Sequence, residues 1–280
     1  MFRSVSYLWR TQCGGRFPRP HTARLVADDW RFTSVNEWQP FRQLGLGDEP
    51  RKGGVVCVAD HASNYVPDDL PLGIAPELLG DHIAVDIGVE GTAERLALRH
   101  HIPAHLACIS RLVIDLHREE DHPGVVPTTS DGHLIPGNIG ADLPLRIERF
   151  HRPYHAALAD FIAATAPRLI ISLHSFTPGL ASKPEEQRPW EVGLLYNTDD
   201  RAARHAIRLF AEQGLTVGDN EPYSGKQLNA TMNRHAESAG IPYLAIEVRN
   251  DQIRMEAGQA RWATMIADIA GRVAVMMDAG

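Results

Sequence analysis

Three apolar runs in this chain each end on a side chain that binds metals or moves protons. Val55-Val56-Cys57-Val58-Ala59 leads into Asp60-His61, and Leu169-Ile170-Ile171-Ser172-Leu173 leads into His174-Ser175. Tyr243-Leu244-Ala245-Ile246 leads into Glu247-Val248-Arg249. Short, nearly continuous apolar runs rich in β-branched residues are the pattern of strands buried on both faces. Strands of that kind need helices over both sides, and helical patterns do alternate with them here. The expected fold is α/β, with a mainly parallel or mixed central sheet and helices on both faces. Ligands bind at the carboxyl edge of such a sheet. His61, His174 and Glu247 are therefore expected along that edge.

The rest of the chain fits this frame. Strands are expected near 54–60, 104–108, 111–116, 169–174 and 191–196. A helical pattern runs over 78–101, weakened in the middle by Gly88 and Gly91. Residues 119–140 are polar and rich in Gly and Pro, and a loop of that length inside a compact domain usually serves function or moves. Phe150, Tyr154, Leu158 and Phe161 recur at helical spacing, so one face of 143–165 should pack on the sheet. Pro153 starts a new helical segment or kinks this one. A helix is expected over 200–213, and Trp262, Ile266, Ile269 and Val273 make an apolar stripe on a terminal helix.

Length bounds the organisation. The 280 residues suit one large α/β domain, placed at 36–280. Residues 1–35 differ: Arg3, Arg10, Arg16, Arg19 and Arg24 all precede the first acid, Asp28. That segment is expected to be a poorly ordered extension, a misassigned start or a transit peptide, with no catalytic role. A net charge of −7 argues against nucleic acid or an anionic membrane as the main partner. No apolar stretch approaches the ~20 residues needed to span a bilayer. The three cysteines, Cys13, Cys57 and Cys108, are scattered and odd in number, which points away from a disulfide framework and toward a reducing cytoplasm. Cys57 and Cys108 sit in apolar runs and are expected in the core.

A zinc-type hydrolytic site takes three protein ligands and keeps one position open. His61 and His174 are the nitrogen candidates, each aimed by its strand. Asn64 follows His61 by three residues, but an amide is a poor zinc ligand. Asp86 lies in His82-Ile83-Ala84-Val85-Asp86-Ile87-Gly88, flanked by apolar residues where an unpaired carboxylate is costly. A cation would remove that cost. The alternative is an exposed helical Asp86, and Asp60 and His82 are lesser candidates for the third ligand. Glu247 sits in a buried strand and asks for a partner: it either pairs with Arg111 or Arg249, or serves as a general base. Arg111, Arg118 and Arg249 lie near strand ends, where a guanidinium holds a carboxylate through two parallel hydrogen bonds. Tyr223, in Asn220-Glu221-Pro222-Tyr223-Ser224-Gly225, is an available donor.

These segments together resemble the N-formylglutamate amidohydrolase family, in its less characterised branch. The resemblance rests on Asp60-His61-Ala62-Ser63-Asn64, His82-Ile83-Ala84-Val85-Asp86-Ile87-Gly88, Ser110-Arg111-Leu112-Val113-Ile114-Asp115, and Ser130-Asp131-Gly132 with Ile135-Pro136-Gly137-Asn138. It continues through Arg152-Pro153-Tyr154-His155, Ser172-Leu173-His174-Ser175-Phe176-Thr177-Pro178, Gly218-Asp219-Asn220-Glu221-Pro222-Tyr223-Ser224-Gly225 and Ile246-Glu247-Val248-Arg249. It implies a phosphorylase/hydrolase-like fold related to the zinc exopeptidases. It implies one divalent metal, zinc first, with cobalt or manganese as options. It implies hydrolysis of N-formyl-L-glutamate to formate and L-glutamate, the last step of one histidine-degradation route. The family's site logic falls on His61 and His174 as ligands and Glu247 as base, with Asp86 as third ligand by analogy to related amidases. Asn64, Arg111, Arg118, Tyr223 and Arg249 are the expected substrate contacts. One departure stands out: after Asp115 the family usually shows an Asn-Arg pair, and this chain has His117-Arg118. It bears on substrate binding more than on hydrolysis.

The expected protein is thus a cytoplasmic metal-dependent amidohydrolase acting on a small N-acyl amino acid, without nucleic-acid or membrane partners and of open oligomeric state. The alternatives are an amidase or peptidase for another N-acyl amino acid or small peptide, and a non-catalytic binding module of the same fold.

Overall fold

The apolar runs occupy the middle of a seven-stranded mixed sheet. The structure, a computed structural model, describes residues 38–47 and 50–278. The expectations for residues 1–35, including Cys13, lie outside the described residues. In chain order the elements begin with β1 (Phe41–Leu44), β2 (Val55–Ala59), α1 (Val89–Arg99) and β3 (Ala104–Ala107). A small hairpin of β4 (Thr129–Ser130) and β5 (His133–Leu134) follows, then α2 (Leu143–Arg146) and α3 (Arg152–Thr165). The chain continues through β6 (Leu169–Phe176), β7 (Val192–Leu195), α4 (Arg201–Glu212), β8 (Val217–Asp219), α5 (Ala230–His235), β9 (Tyr243–Arg249) and α6 (Glu256–Asp278).

The strand order is β1-β3-β2-β6-β9-β7-β8. Strands β3, β2, β6 and β9 are parallel to one another, whereas β1 and β7 join antiparallel. The chain leaves β2 toward β3 on one side, and β6 borders β9 on the other. The crevice between β2 and β6 is therefore a switch point of the sheet, where open α/β folds place their ligands.

Side-chain alternation divides the work of the central strands. Cys57, Ala59, Ile171, Leu173, Leu244, Ile246 and Val248 face a core closed by α1, α4 and α6. The predicted stripe Trp262, Ile266, Ile269 and Val273 is buried there. Each such large apolar side chain contributes about 1.5–3 kcal/mol. The alternate residues Ser172, His174 and Glu247 point to the other face, part of which α3 covers. There Tyr154 and Phe161 pack on His105 of β3, with ring centroids 4.7 and 5.8 Å away. No helix among the described residues is long and apolar enough to cross a membrane.

Two expectations for the elements need correction. The segment 111–116 is not a strand. Leu112, Val113, Ile114 and Leu116 are fully buried, yet their backbone is turned by Ser110, whose carbonyl accepts from Val113 N and whose hydroxyl accepts from Leu112 N. The Asp115 amide bonds to Val125 O. Burial alone produced the apolar pattern that resembled a strand. The helix predicted over 78–101 is likewise shorter: a 3-10 turn covers Pro76–Gly80, and α1 starts at Val89. Gly88 interrupts it with φ of 84°, and a Cβ there would lie 2.1 Å from Ile253 O. Pro153 falls in the first turn of α3, where the helical backbone runs on without a break from α2 through a π-helical stretch at Ile147–His151.

Gly88→Ala adds both a left-handed strain and a backbone clash, two residues from Asp86. It should lower unfolding stability by about 2 kcal/mol or more. Urea denaturation of wild type and variant checks this, and an unchanged midpoint would contradict it.

Candidate active site

The carboxyl ends of β2, β6 and β9 bring three of the predicted residues together. His174 and Glu247 are register partners on adjacent strands. Asp60 and His61 lie just past β2, on the other side of β6. Asp86 reaches the same point from the turn before α1, where its amide bonds to His61 O at 3.0 Å. Asp86 is therefore neither exposed nor helical: it precedes the helix and retains 3% exposure.

The imidazoles converge on one oxygen. His174 Nδ1 lies 3.0 Å and His61 Nδ1 3.4 Å from Asp86 Oδ2. The far side of each ring is anchored: His61 Nε2 lies 2.7 Å from Asp115 Oδ1, and His174 Nε2 lies 3.1 Å from Ser172 Oγ. Arg111 completes the frame, donating to Asp86 Oδ1 and Asp115 Oδ2, each at 3.1 Å.

Electrostatics follows from burial and these contacts. Burial raises the Asp86 carboxyl, but His61, the His174 hydrogen bond and Arg111 outweigh it and hold the group well below its usual range. Asp115 is held low against burial by His61 and Arg111. Burial and Arg111 oppose charge on His61, yet Asp115 and Asp86 push it up to about 9. Burial pushes His174 down. Glu247 moves the opposite way to Asp86: burial, then the Asp86 charge, push it up to about 8. Its Oε2 is sealed from solvent without a hydrogen-bond partner.

His61, Asp86 and His174 present three buried donor atoms within 4.8 Å of one another, a group able to hold a metal ion. The fit is supported by His61 Nδ1, which is buried and makes no hydrogen bond. With Nε2–H given to Asp115, that nitrogen aims a lone pair at an anionic oxygen, and either a proton or a cation relieves the contact. A second group, Asp60, His117 and His174, also lies within that distance. There the donors are already engaged: Asp60 accepts from His117 Nδ1 at 2.9 Å and from the Tyr154 hydroxyl at 2.6 Å.

The centre opens into a cavity of about 240 Å³. Arg111, Arg118, Tyr223, His117 and Glu247 line it. Gly193, opposite Glu247 in register, lets the backbone of Glu221 cross close above it, and so places Tyr223 over the centre. The Tyr223 hydroxyl accepts from Arg188 Nη1 at 3.0 Å. At the rim, Asp131 after β4 accepts from Ala181 N at 2.9 Å and Ser182 N at 2.8 Å, and His82 Nε2 lies 3.1 Å from its carboxylate. The 119–140 segment thereby ties the cavity mouth to the loop after β6.

Two expected substrate contacts, Asn64 and Arg249, lie outside the cavity lining. Asn64 donates to Leu79 O at 2.8 Å, away from the cavity lining. Arg249 is turned to Asp251 at 2.9 Å and to the carbonyls of Pro189 and Trp190, so its charge is consumed at the sheet end. Residues assigned no site role from the sequence include Asp115, Ser172, Arg188, Tyr154 and Asp131. Asp115 had a signal, since it closes a wholly apolar run just as Glu247 does. Arg188 and Asp131 lie in loops with no periodicity to mark them.

The fold and the edge cluster define a class of α/β hydrolase with a buried His/Asp centre. Residues 53–254 match the family described as N-formylglutamate amidohydrolase, and the chain belongs to that family, whose members are hydrolases acting on amide bonds. A gene product of Agrobacterium tumefaciens is similar in structure, with 28% identity and a TM-score of 0.79 over 89% of this chain and 100% of that one. The N-formylglutamate amidohydrolase of Ralstonia eutropha JMP134 shares the fold at 22% identity, with a TM-score of 0.64 over 85% of this chain and 97% of that one. No curated protein matches by sequence.

The raised Glu247 gives a signed pH prediction for metal-free protein. Its folded pKa of about 8 lies above the ordinary 4.5. Its contribution to stability is fully present below pH 4.5 and is lost as pH rises through 8. Glu247→Gln, a neutral isostere, keeps the favourable state throughout. Chelated wild type and variant should be equally stable near pH 4.5, and the variant more stable above pH 8. Thermal melts across pH check this, and a constant gap would contradict it.

Proposed function

We propose that this chain hydrolyses N-formyl-L-glutamate or a close N-acyl amino acid, with one divalent metal ion held by His61, Asp86 and His174. The observation that carries the reading is the convergence of two Nδ1 atoms on one Asp86 oxygen, beside a carboxyl of raised pKa. Nitrogen and carboxylate donors suit zinc, and admit cobalt or manganese. A divalent ion held there supplies Lewis-acid polarisation of the acyl carbonyl.

The chain's own residues do the rest. Glu247 takes a proton from the attacking water and passes it to the leaving nitrogen, so that amide plus water become carboxylate and amine. Its raised pKa brings uptake and release near neutral pH. Arg118 binds a substrate carboxylate: its Nε lies 3.7 Å from Asp115, the looser of the two arginine contacts to that residue. Arg111 is bound to Asp86 and Asp115, and so holds the frame while lining the cavity. The Tyr223 hydroxyl accepts from Arg188 and is left to donate to substrate. The cavity is smaller than the ~300–1,000 Å³ of drug-sized sites, which favours an amino-acid derivative over a peptide groove. The free buried Cys57 accords with a reducing cytoplasm, and the substrate accords with histidine degradation.

Metal-replete protein should release formate from N-formylglutamate and lose that activity on dialysis against chelator. Glu247→Gln should lower kcat by about 10²–10⁴-fold. Arg118→Ala should raise KM by about 10–100-fold, the loss of a charge-assisted contact. Cleavage of a different amide alone would replace the substrate and keep the class, whereas full turnover after metal removal would overturn the metal assignment. Metal analysis gives a readout independent of turnover: about one equivalent per chain, as for a single catalytic site, should be lost in His61→Ala.

A further inference from the structure

The proposed chemistry uses one flank of His174 and leaves the other idle. On the β9 side stands Glu247. On the β2 side stands His117, whose ring centroid is 4.7 Å from that of His174 and 6.0 Å from that of His61. Its Nδ1 lies 2.9 Å from Asp60 Oδ2 and 3.0 Å from Thr231 Oγ1. Asp60 is enclosed, and its other oxygen accepts the Tyr154 hydroxyl. A carboxylate only accepts, so the proton in the Asp60–His117 contact belongs to His117 Nδ1. In a neutral imidazole the second nitrogen then carries a lone pair.

That second nitrogen is directed to the cavity. Nε2 of His117 makes no hydrogen bond among the described residues, it is not among their sealed and unpartnered polar atoms, and His117 lines the cavity. The neighbouring Arg111, Arg118 and the Tyr223 hydroxyl are donors. His117 thus offers an oriented acceptor beside donors. An N-acyl amino acid with an acidic side chain carries carbonyl and carboxylate oxygens, all acceptors, and a single donor, the scissile amide N–H.

The geometry points to His117 Nε2 as the acceptor of that amide N–H, which makes it a specificity residue for secondary amides against N-methylated amides and N-acyl imino acids. This inference rests on the proposed function. A site built to pair with an N–H discriminates strongly against an analogue that lacks it, because the buried acceptor is left unpaired. Asp60, through Nδ1, fixes which nitrogen performs this, and Tyr154 and Thr231 hold the pair in place.

His117→Asn tests the idea while sparing the fold. The shorter amide can still donate to Asp60, and nothing then reaches the place of Nε2. Metal-replete Glu247→Gln protein, whose slowed turnover is subtracted as a steady background heat, is titrated calorimetrically with N-formylglutamate and with its N-methyl analogue. The secondary amide should bind about 10–100-fold more tightly, and adding His117→Asn should shrink that preference to about threefold or less. An unchanged preference in the double variant, with its melting profile retained, overturns the inference and leaves the proposed function standing. Binding of neither compound by the Glu247→Gln protein overturns both.

Discussion

A carboxylate buried in an apolar turn is unstable as an anion unless cationic or hydrogen-bonding groups surround it. Asp86 meets that condition from four sides. His61 and His174 approach one oxygen, Arg111 approaches the other, and the Ser175 amide donates at 3.2 Å. These groups come from three segments, so satisfying Asp86 joins β2, β6, the 110–116 turns and the entry to α1. Removal of the charge would leave those segments without a common partner at the sheet edge.

The frame extends outward by the same logic. Asp115 is paired with His61 and Arg111, so the two buried acids share one guanidinium. Asp60 performs the equivalent service on the other side, between His117 and Tyr154. Beneath them, the carbonyls of Leu116 and Arg118 accept from His155 and His151. Burial keeps both of these imidazoles low in pKa, hence neutral and suited to single hydrogen bonds. An irregular segment such as 110–118 persists inside the fold because its backbone groups are satisfied from outside it.

The sheet was legible because its central strands are buried on both faces and leave a continuous apolar signature. The same signature misled at 111–116, where burial is complete and no ladder exists. Periodicity reports burial, and only secondarily the hydrogen-bond pattern beneath it. Strand ends located His61, His174 and Glu247, since each follows a run that fixes its direction. Asp86 stood out through the cost of its apolar neighbours. Asn64 and Arg249 were misplaced because spacing shows where a side chain starts and not what it finds to bind. His117 appeared in the sequence only as a departure from a family pattern, and its orientation depends on Asp60, far away in the chain.

Two carboxyls of this site show how one neighbourhood sustains opposite charge states. Asp86 lies against imidazole and guanidinium and stays charged. Glu247, one strand over, has a sealed oxygen without a partner and feels the Asp86 charge, so its proton is held more tightly. Opposite shifts within one cluster separate a carboxylate that stays charged from a carboxyl that holds its proton. That separation requires Asp86 to collect nearly all the positive contacts. The allocation is visible in Arg111, which lies within reach of Glu247's field yet spends both hydrogen bonds on Asp86 and Asp115.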